Sequence, residues 1–222
     1  MVSPPSRAGI SDAGRRRVDA ALARHGMLLV QGQDVVPSLA DLLARRAITT
    51  RGYSWDYEPA WRMRRELEAR SDIASVKLLR GKVTIIAPRL WPAVRAVADA
   101  ARDAVDSPAL REIERTPAIT VERLMAATGL DKKATRKETR DLERWCCAFS
   151  RERDDVEYHT HEQAWFPWSA HKVARSRRGR ACSFDDAVAL LHATAGGRES
   201  AARLFPVVAV TLRNPGARRA RA

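Results

Sequence analysis

No stretch of the sequence approaches the ~20 consecutive apolar residues that a membrane-spanning helix needs, so no such helix is expected. The opening MVSPPSRAGISDAGRRR lacks the apolar centre of a secretory signal, and secretion is not expected either. Cysteine is scarce. Three in 222 residues, with Cys146 and Cys147 adjacent, fit neither a disulfide framework nor a zinc spacing, and they point to a reducing, cytoplasmic setting. Acids are also in deficit: 27 against 40 lysines and arginines, for a net charge of +13 and a pI near 10.7. That excess is more than solubility requires and predicts a polyanionic partner. What is present in quantity is apolar residue, 45% of the chain, enough to bury the core of one large or two small domains.

The punctuation of the chain divides it into two similar halves and a basic coda. Residues 1–10 read as a loose tail. Ser11 caps a helix to about Arg24, which Gly26 ends. Met27–Val30 is a short strand, and Pro37 opens a helix over 38–46 with Leu39, Leu42 and Leu43 inward. TTRGYSW is a loop, after which Glu58-Pro59 starts a helix to about Ser71 with Ala60, Met63 and Leu67 at helical spacing. Residues 74–88 form a hairpin around Arg80-Gly81-Lys82, and a helix followed by such a hairpin predicts a winged helix. An alanine-rich helix over 90–105 leads into the second half.

There Ser107-Pro108 and Thr120 cap two short helices, Gly129 makes a turn, and Asp131 caps a long helix, KKATRKETRDLERWCC. This is the order of a helix-turn-helix. CAFSRERDDVEYHTH reads as a second wing about Arg153-Asp154-Asp155, followed by a basic linker from Ala164, closing helices at 184–195 and 199–204, and a basic tail. The expected fold is α+β, mainly helical: tandem winged helix-turn-helix domains at 11–105 and 106–165, with β-hairpin wings and a small helical C-terminal segment at 166–222.

Lys132, Lys133, Arg136, Lys137 and Arg140 recur at spacings of three and four, so they share one side of their helix. Such a face can meet phosphates or enter a major groove. It can also be a solvated face, with Glu138, Asp141 and Glu143 available for intrahelical pairs. Arg80 and Lys82 at the hairpin turn carry the same two readings. His159 and His161 alternate as on one strand face beside Glu162, but no third ligand is identifiable, so no metal is expected. Cys146 and Cys147 lie among apolar residues and read as core. Trp145, Trp165 and Trp168 can stack on bases or plug a domain junction, and packing is the simpler role.

LLVQGQD followed by PSLADLLARR, GYSWDYEPAWRMRREL, a hairpin and PRLWPAV resembles the first part of AlkZ/YcaQ-type DNA glycosylases. Those enzymes are built from tandem winged helices and carry a Gln-x-Gln or Gln-x-Asp motif after an apolar strand. The resemblance spans residues 11–165 in its order of elements. It implies a role on double-stranded DNA, with the hairpin engaging a lesion, and it assigns the motif to Gln31-Gly32-Gln33. The family's enzymes are longer by a further winged-helix unit and usually have a larger apolar residue where Gly32 stands, so the chain resembles a shortened member.

The chemistry suits those residues. A purine alkylated at N7 is already a cationic leaving group, and what remains is to position water against an oxocarbenium-like sugar. A glutamine amide is no base, but its carbonyl and two N–H donors can orient water. Glutamines at i and i+2 of an extended segment point the same way. Asp34 adds charge stabilisation or caps the following helix. On this reading the protein is a monofunctional glycosylase acting through Gln31, Gln33 and Asp34, without metal or small-molecule cofactor. The alternative is a non-catalytic winged-helix regulator or architectural protein that binds duplex DNA through Lys132, Lys133, Arg136, Lys137, Arg140, Arg80 and Lys82.

Overall fold

The computed structural model describes residues 10–32, 34–44, 58–152, 163–177 and 179–213. Gln33, the TTRGYSW loop, the Arg153-Asp154-Asp155 turn, His159, His161, Glu162 and both terminal tails lie outside the described residues. The molecule is α+β and mainly helical, with two small antiparallel three-stranded sheets. No described helix is long and apolar enough to cross a membrane.

In the first half, α1 (Asp12–His25) begins where the Ser11 hydroxyl accepts the Gly14 N–H, and it ends at Gly26 in the left-handed region, φ 74°. Strand β1 (Met27–Leu29), helices α2 (Leu39–Leu43) and α3 (Glu58–Ala69), and strands β2 (Ala74–Lys77) and β3 (Val83–Ile86) follow. The strands pair in the order β1-β3-β2, with Met27 opposite Ile86 and Lys77 opposite Val83. Both faces of this sheet are buried. Leu28 and Ile85 point into a cluster with Val18 and Leu22 of α1, Leu39 of α2 and Leu67 of α3. Met27, Leu29 and Ile86 point the other way, into a core shared with the rest of the chain. A two-sided burial explains why β1 is apolar at every position rather than alternating.

The second half repeats that order. Helix α4 (Trp91–Ala104) leads to α5 (Pro108–Arg115), β4 (Ile119–Thr120), α6 (Val121–Thr128), α7 (Lys132–Arg144), β5 (Ala148–Glu152) and β6 (Gln163–Pro167). The sheet order is again first, third, second: β4-β6-β5. Ser107, Thr120 and Asp131 cap the three helices through their side-chain oxygens, and Gly129 closes α6 at φ 70°. Ala148 and Trp165 face the shared core, whereas Phe149 and Phe166 stack on each other, ring centroids 5.4 Å apart, away from it.

The C-terminal part is a further layer of helices, α8 (Lys172–Arg175), α9 (Phe184–Thr194), α10 (Ala201–Leu204) and α11 (Pro206–Arg213). Ala187, Leu191, Phe205, Val207 and Val208 pack with Ala93, Val97, Ala98 and Ala101 of α4 in the shared core. The small side chains of α4 let these helices approach closely.

Three sequence expectations change. The strand that returns from β5 is Gln163–Pro167, later than the wing expected around 156–161, so part of the supposed linker is sheet. Helix α2 starts one residue later than expected and ends at Leu43, with Ala44 extended beyond it (φ −63°, ψ 139°). Residues 206–213, not assigned to an element from sequence, form α11, whose three valines join Phe205 and the α4 side chains in the shared core.

Candidate nucleic-acid interface

The Gln31 segment is an excursion pinned at both ends. Val30 N–H donates to Val83 O at 3.0 Å, extending β1 by one residue, and Leu29 N–H donates to Pro37 O at 3.0 Å where the chain returns. Between these points Val36 is buried, while Gln31 and Gly32 are exposed, Gly32 with φ 89°. The strand therefore ends in polar residues because the chain leaves the sheet there and crosses the surface beside the β2–β3 turn. A Cβ placed on Gly32 would lie 3.8 Å from Lys82 Nζ.

Asp34 fixes that proximity. Its carboxylate accepts from Arg80 Nε at 3.0 Å and from Lys82 Nζ at 2.9 Å, and its side chain is only 5% exposed. Burial works to raise the carboxyl, but hydrogen bonds from Lys82 and the Val35 N–H, with the charges of Lys82 and Arg80, outweigh it and hold Asp34 below the ordinary carboxylate value. Asp34 does not cap the next helix. That role belongs to Ser38, whose hydroxyl accepts the Asp41 N–H at 3.1 Å.

The β2–β3 turn is packed rather than free. Leu78 and Leu79 are fully buried, Arg80 adopts φ 51° and Gly81 φ 70°, and the Arg144 side chain of α7 lies over Gly81. Arg80 also donates to Glu199, from the segment joining α9 to α10, and this hydrogen bond raises the guanidinium's already high pKa. Glu199 holds Arg203 at 3.2 Å as well. Both turn cations thus have carboxylate partners within the chain.

The α7 face is different. Lys132, Lys133, Arg136, Lys137 and Arg140 are all exposed. Among the described residues only Lys137 has an acidic partner, Asp141 at 3.2 Å. Glu138 turns inward to accept the Ser107 hydroxyl, and Glu143 accepts from Lys77 and Ser150, so neither neutralises that face. Helix α3 holds the equivalent place in the first half, and its charges are mostly tied down. Arg62 pairs with Glu58 at 2.9 Å and Arg64 with Glu68 at 2.7 Å, leaving Arg65 exposed.

The remaining candidates sit inside. Cys146 and Cys147 are buried in the shared core, where desolvation pushes the Cys147 thiol up to about 12 and Cys146 higher still. Trp165 and Trp168 are buried there too, and Trp145 packs against that core. Sequence reading missed His171, which is buried between the halves, stacked on Trp168 at 4.6 Å and edge-on to Phe149 at 4.9 Å. It also missed Arg151, exposed over the Phe149 and Phe166 rings at 5.2 and 5.4 Å, although the alternation of Phe149 and Arg151 on one strand face was a usable signal. Nothing in the sequence joins Glu199 to Arg80.

The chain therefore carries two dissimilar polar surfaces: an internally neutralised cluster beside Gln31 and an unneutralised cationic helix face. Compared with protein-family models, with curated proteins and with solved structures, it matches none.

Proposed function

We propose that the protein binds double-stranded DNA as a tandem winged-helix protein, with α7 as its recognition helix. Each half runs helix, strand, helix, helix, strand, strand, with sheet order first, third, second. That order supports the winged-helix reading, in which the third helix is the one offered to the groove. The observation that carries the reading is the contrast between equivalent helices: α7 keeps four exposed cations without acidic partners among the described residues, where α3 ties most of its own to glutamates. Unpaired cations on one face are what counterion release from a phosphate backbone requires. The test is fluorescence anisotropy on duplex DNA against salt. With about five phosphates contacted, log affinity falls with log salt at a slope of roughly −4.5, and Lys133→Ala/Arg136→Ala/Arg140→Ala flattens it by about 2 to 3. No duplex binding at low salt, or an unchanged slope in the triple variant, rejects the proposal.

A second reading, glycosylase-like excision of an alkylated purine, is favoured by the placing of Lys82 against Gly32. Gly32, next to the exposed Gln31, lies beside the hairpin turn, which supports the neighbourhood that the resemblance to AlkZ/YcaQ-type enzymes calls for. Gln31 and Gln33 would then orient the attacking water, with Asp34 acting through Lys82 and Arg80 to hold the segment in place.

A further inference from the structure

Resting on the duplex-binding reading, we infer that the protein holds DNA by its phosphate backbone without reading base sequence, so that its partner is duplex DNA as a class rather than an operator. Base pairs are told apart in the major groove by a short list of pairings: Asn or Gln with adenine, Arg or Lys with guanine, Asp or Glu with cytosine, and small apolar groups with the thymine methyl. The side chains available to α7 satisfy almost none of these.

Carboxamides are nearly absent from the chain. Gln31, Gln33, Gln163 and Asn214 are all there are. Gln31 lies in the excursion after β1 and Gln163 begins β6, and no described helix contains a carboxamide. Adenine therefore has no reader on α7. The helix's hydroxyls are withdrawn as well: Thr135 and Thr139 are buried and donate to the Asp131 and Thr135 carbonyls at 2.8 and 3.0 Å. Its acids are committed to the helix cap (Asp131), to Ser107 (Glu138), to Lys137 (Asp141) and to Lys77 and Ser150 (Glu143), leaving none for cytosine.

Lys132, Lys133, Arg136, Lys137 and Arg140 remain on the outside. All five can pair with guanine, but a lysine is a flexible point charge that suits phosphate equally, and only the two arginines carry the fixed planar fork. Ala134, the small apolar residue near the start of α7, is half-buried and lies off that side, so guanine pairing alone is left, and one kind of pairing cannot define a site of several base pairs. A regulator needs its site bound about a thousandfold or more over other DNA, whereas an architectural or repair protein does not.

The experiment is selection from duplexes with a randomised core, followed by anisotropy on AT-only and GC-only duplexes at one salt concentration. The expected results are no enriched motif and affinities within about fivefold of each other, below the discrimination of one well-made bidentate pair at its upper range. Arg136→Lys and Arg140→Lys keep the charge and remove the fork, and both duplexes should bind them as they bind wild type. An enriched motif, or a GC preference that disappears in the lysine variants, overturns the inference while leaving duplex binding intact. Failure to bind any duplex at low salt overturns the reading on which it rests.

Discussion

Asp34 and Lys82 meet at 2.9 Å across 48 residues of chain, and the same carboxylate takes Arg80 at 3.0 Å. The pairing joins the end of the Gln31 excursion to the β2–β3 turn, which is itself covered by Arg144 of α7 and bonded to Glu199. The surface beside Gln31 is thus built from four separated parts of the sequence, and Asp34 is the carboxylate that ties the first two together.

Asp34→Asn should destabilise the protein. Its side chain is almost fully buried, but Arg80 and Lys82 are 31% and 40% exposed and can recover water, so the loss belongs at about 1–3 kcal/mol, the range for charged hydrogen bonds, and below that for a fully buried ion pair. The folded carboxyl lies below its ordinary value of 3.8, so its contribution is present above that pH and is lost as pH falls through the folded value. Urea unfolding at neutral pH and near pH 3 measures this. An Asp34→Asn midpoint equal to wild type at neutral pH would show that the carboxylate is not needed to hold the turn.

His171 should make the fold sensitive to mild acid. Burial lowers its pKa from 6.5 to about 4, aided by the nearby charges of Lys172 and Arg151 and opposed by a hydrogen bond to the Ser75 backbone. Between those two values the unfolded chain binds the extra proton and the folded one does not, so stability falls as pH drops from about 6.5 towards 4, by up to roughly 3 kcal/mol from this group. His171→Phe keeps a ring for Trp168 and Phe149 and removes the titration. Urea midpoints across the window should flatten in the variant, and an unaltered pH dependence would assign the effect to other groups.

Two glycines with the same φ of 70° give a paired test of the turn. Gly129→Ala meets nothing within 4 Å, so it should cost only the left-handed penalty of about 1 kcal/mol. Gly81→Ala carries the same penalty and in addition drives a Cβ into the Arg144 side chain. It should cost about 1 kcal/mol more by thermal or urea unfolding, on the scale of overpacking at a partly movable neighbour. Equal losses at the two sites would mean that Arg144 does not rest on the turn.

These relationships mark how far the sequence could be read. Caps and stops were legible because they are local: Ser11, Ser107, Thr120 and Asp131 each bond a backbone N–H three residues on, and Gly26 and Gly129 adopt the φ that only glycine takes cheaply. The basic stripe of α7 was legible for the same reason, since helical spacing alone places its members on one side. Asp34 was not. Its position before a helix suggested a cap, but Ser38 was nearer the first turn, and the cations that claim Asp34 lie across a sheet. Residues 206–213 and 163–167 escaped because Val207, Val208, Trp165 and Pro167 are defined by the partners that cover them rather than by any periodicity of their own.

The last prediction separates a catalyst from a binder at the Gln31 segment. If Gln31 and Gln33 orient the attacking water, Gln31→Ala and Gln33→Ala should each slow base release from N7-alkylated duplex by about 10- to 1000-fold, on the order of 1–4 kcal/mol in barrier. Duplex affinity should hold if the phosphate contacts are made by the α7 cations as proposed, since these lie on a different element. Stability should hold for Gln31→Ala, because Gln31 is exposed and substitutions at such positions seldom cost more than about 0.5 kcal/mol. The measurement is single-turnover release of the modified base, read by alkaline strand scission, with wild type and both variants at equal bound fraction. The duplex must carry the adduct, since extruding a base costs a few kcal/mol and a destabilised pair lowers that cost. A slowed Gln31→Ala with unchanged anisotropy and unchanged melting places the glutamine at the reaction. Wild type that binds a panel of small and bulky N7 and N3 adducts yet releases none of them leaves the segment a surface crossing held by Asp34, and duplex binding through α7 stands alone.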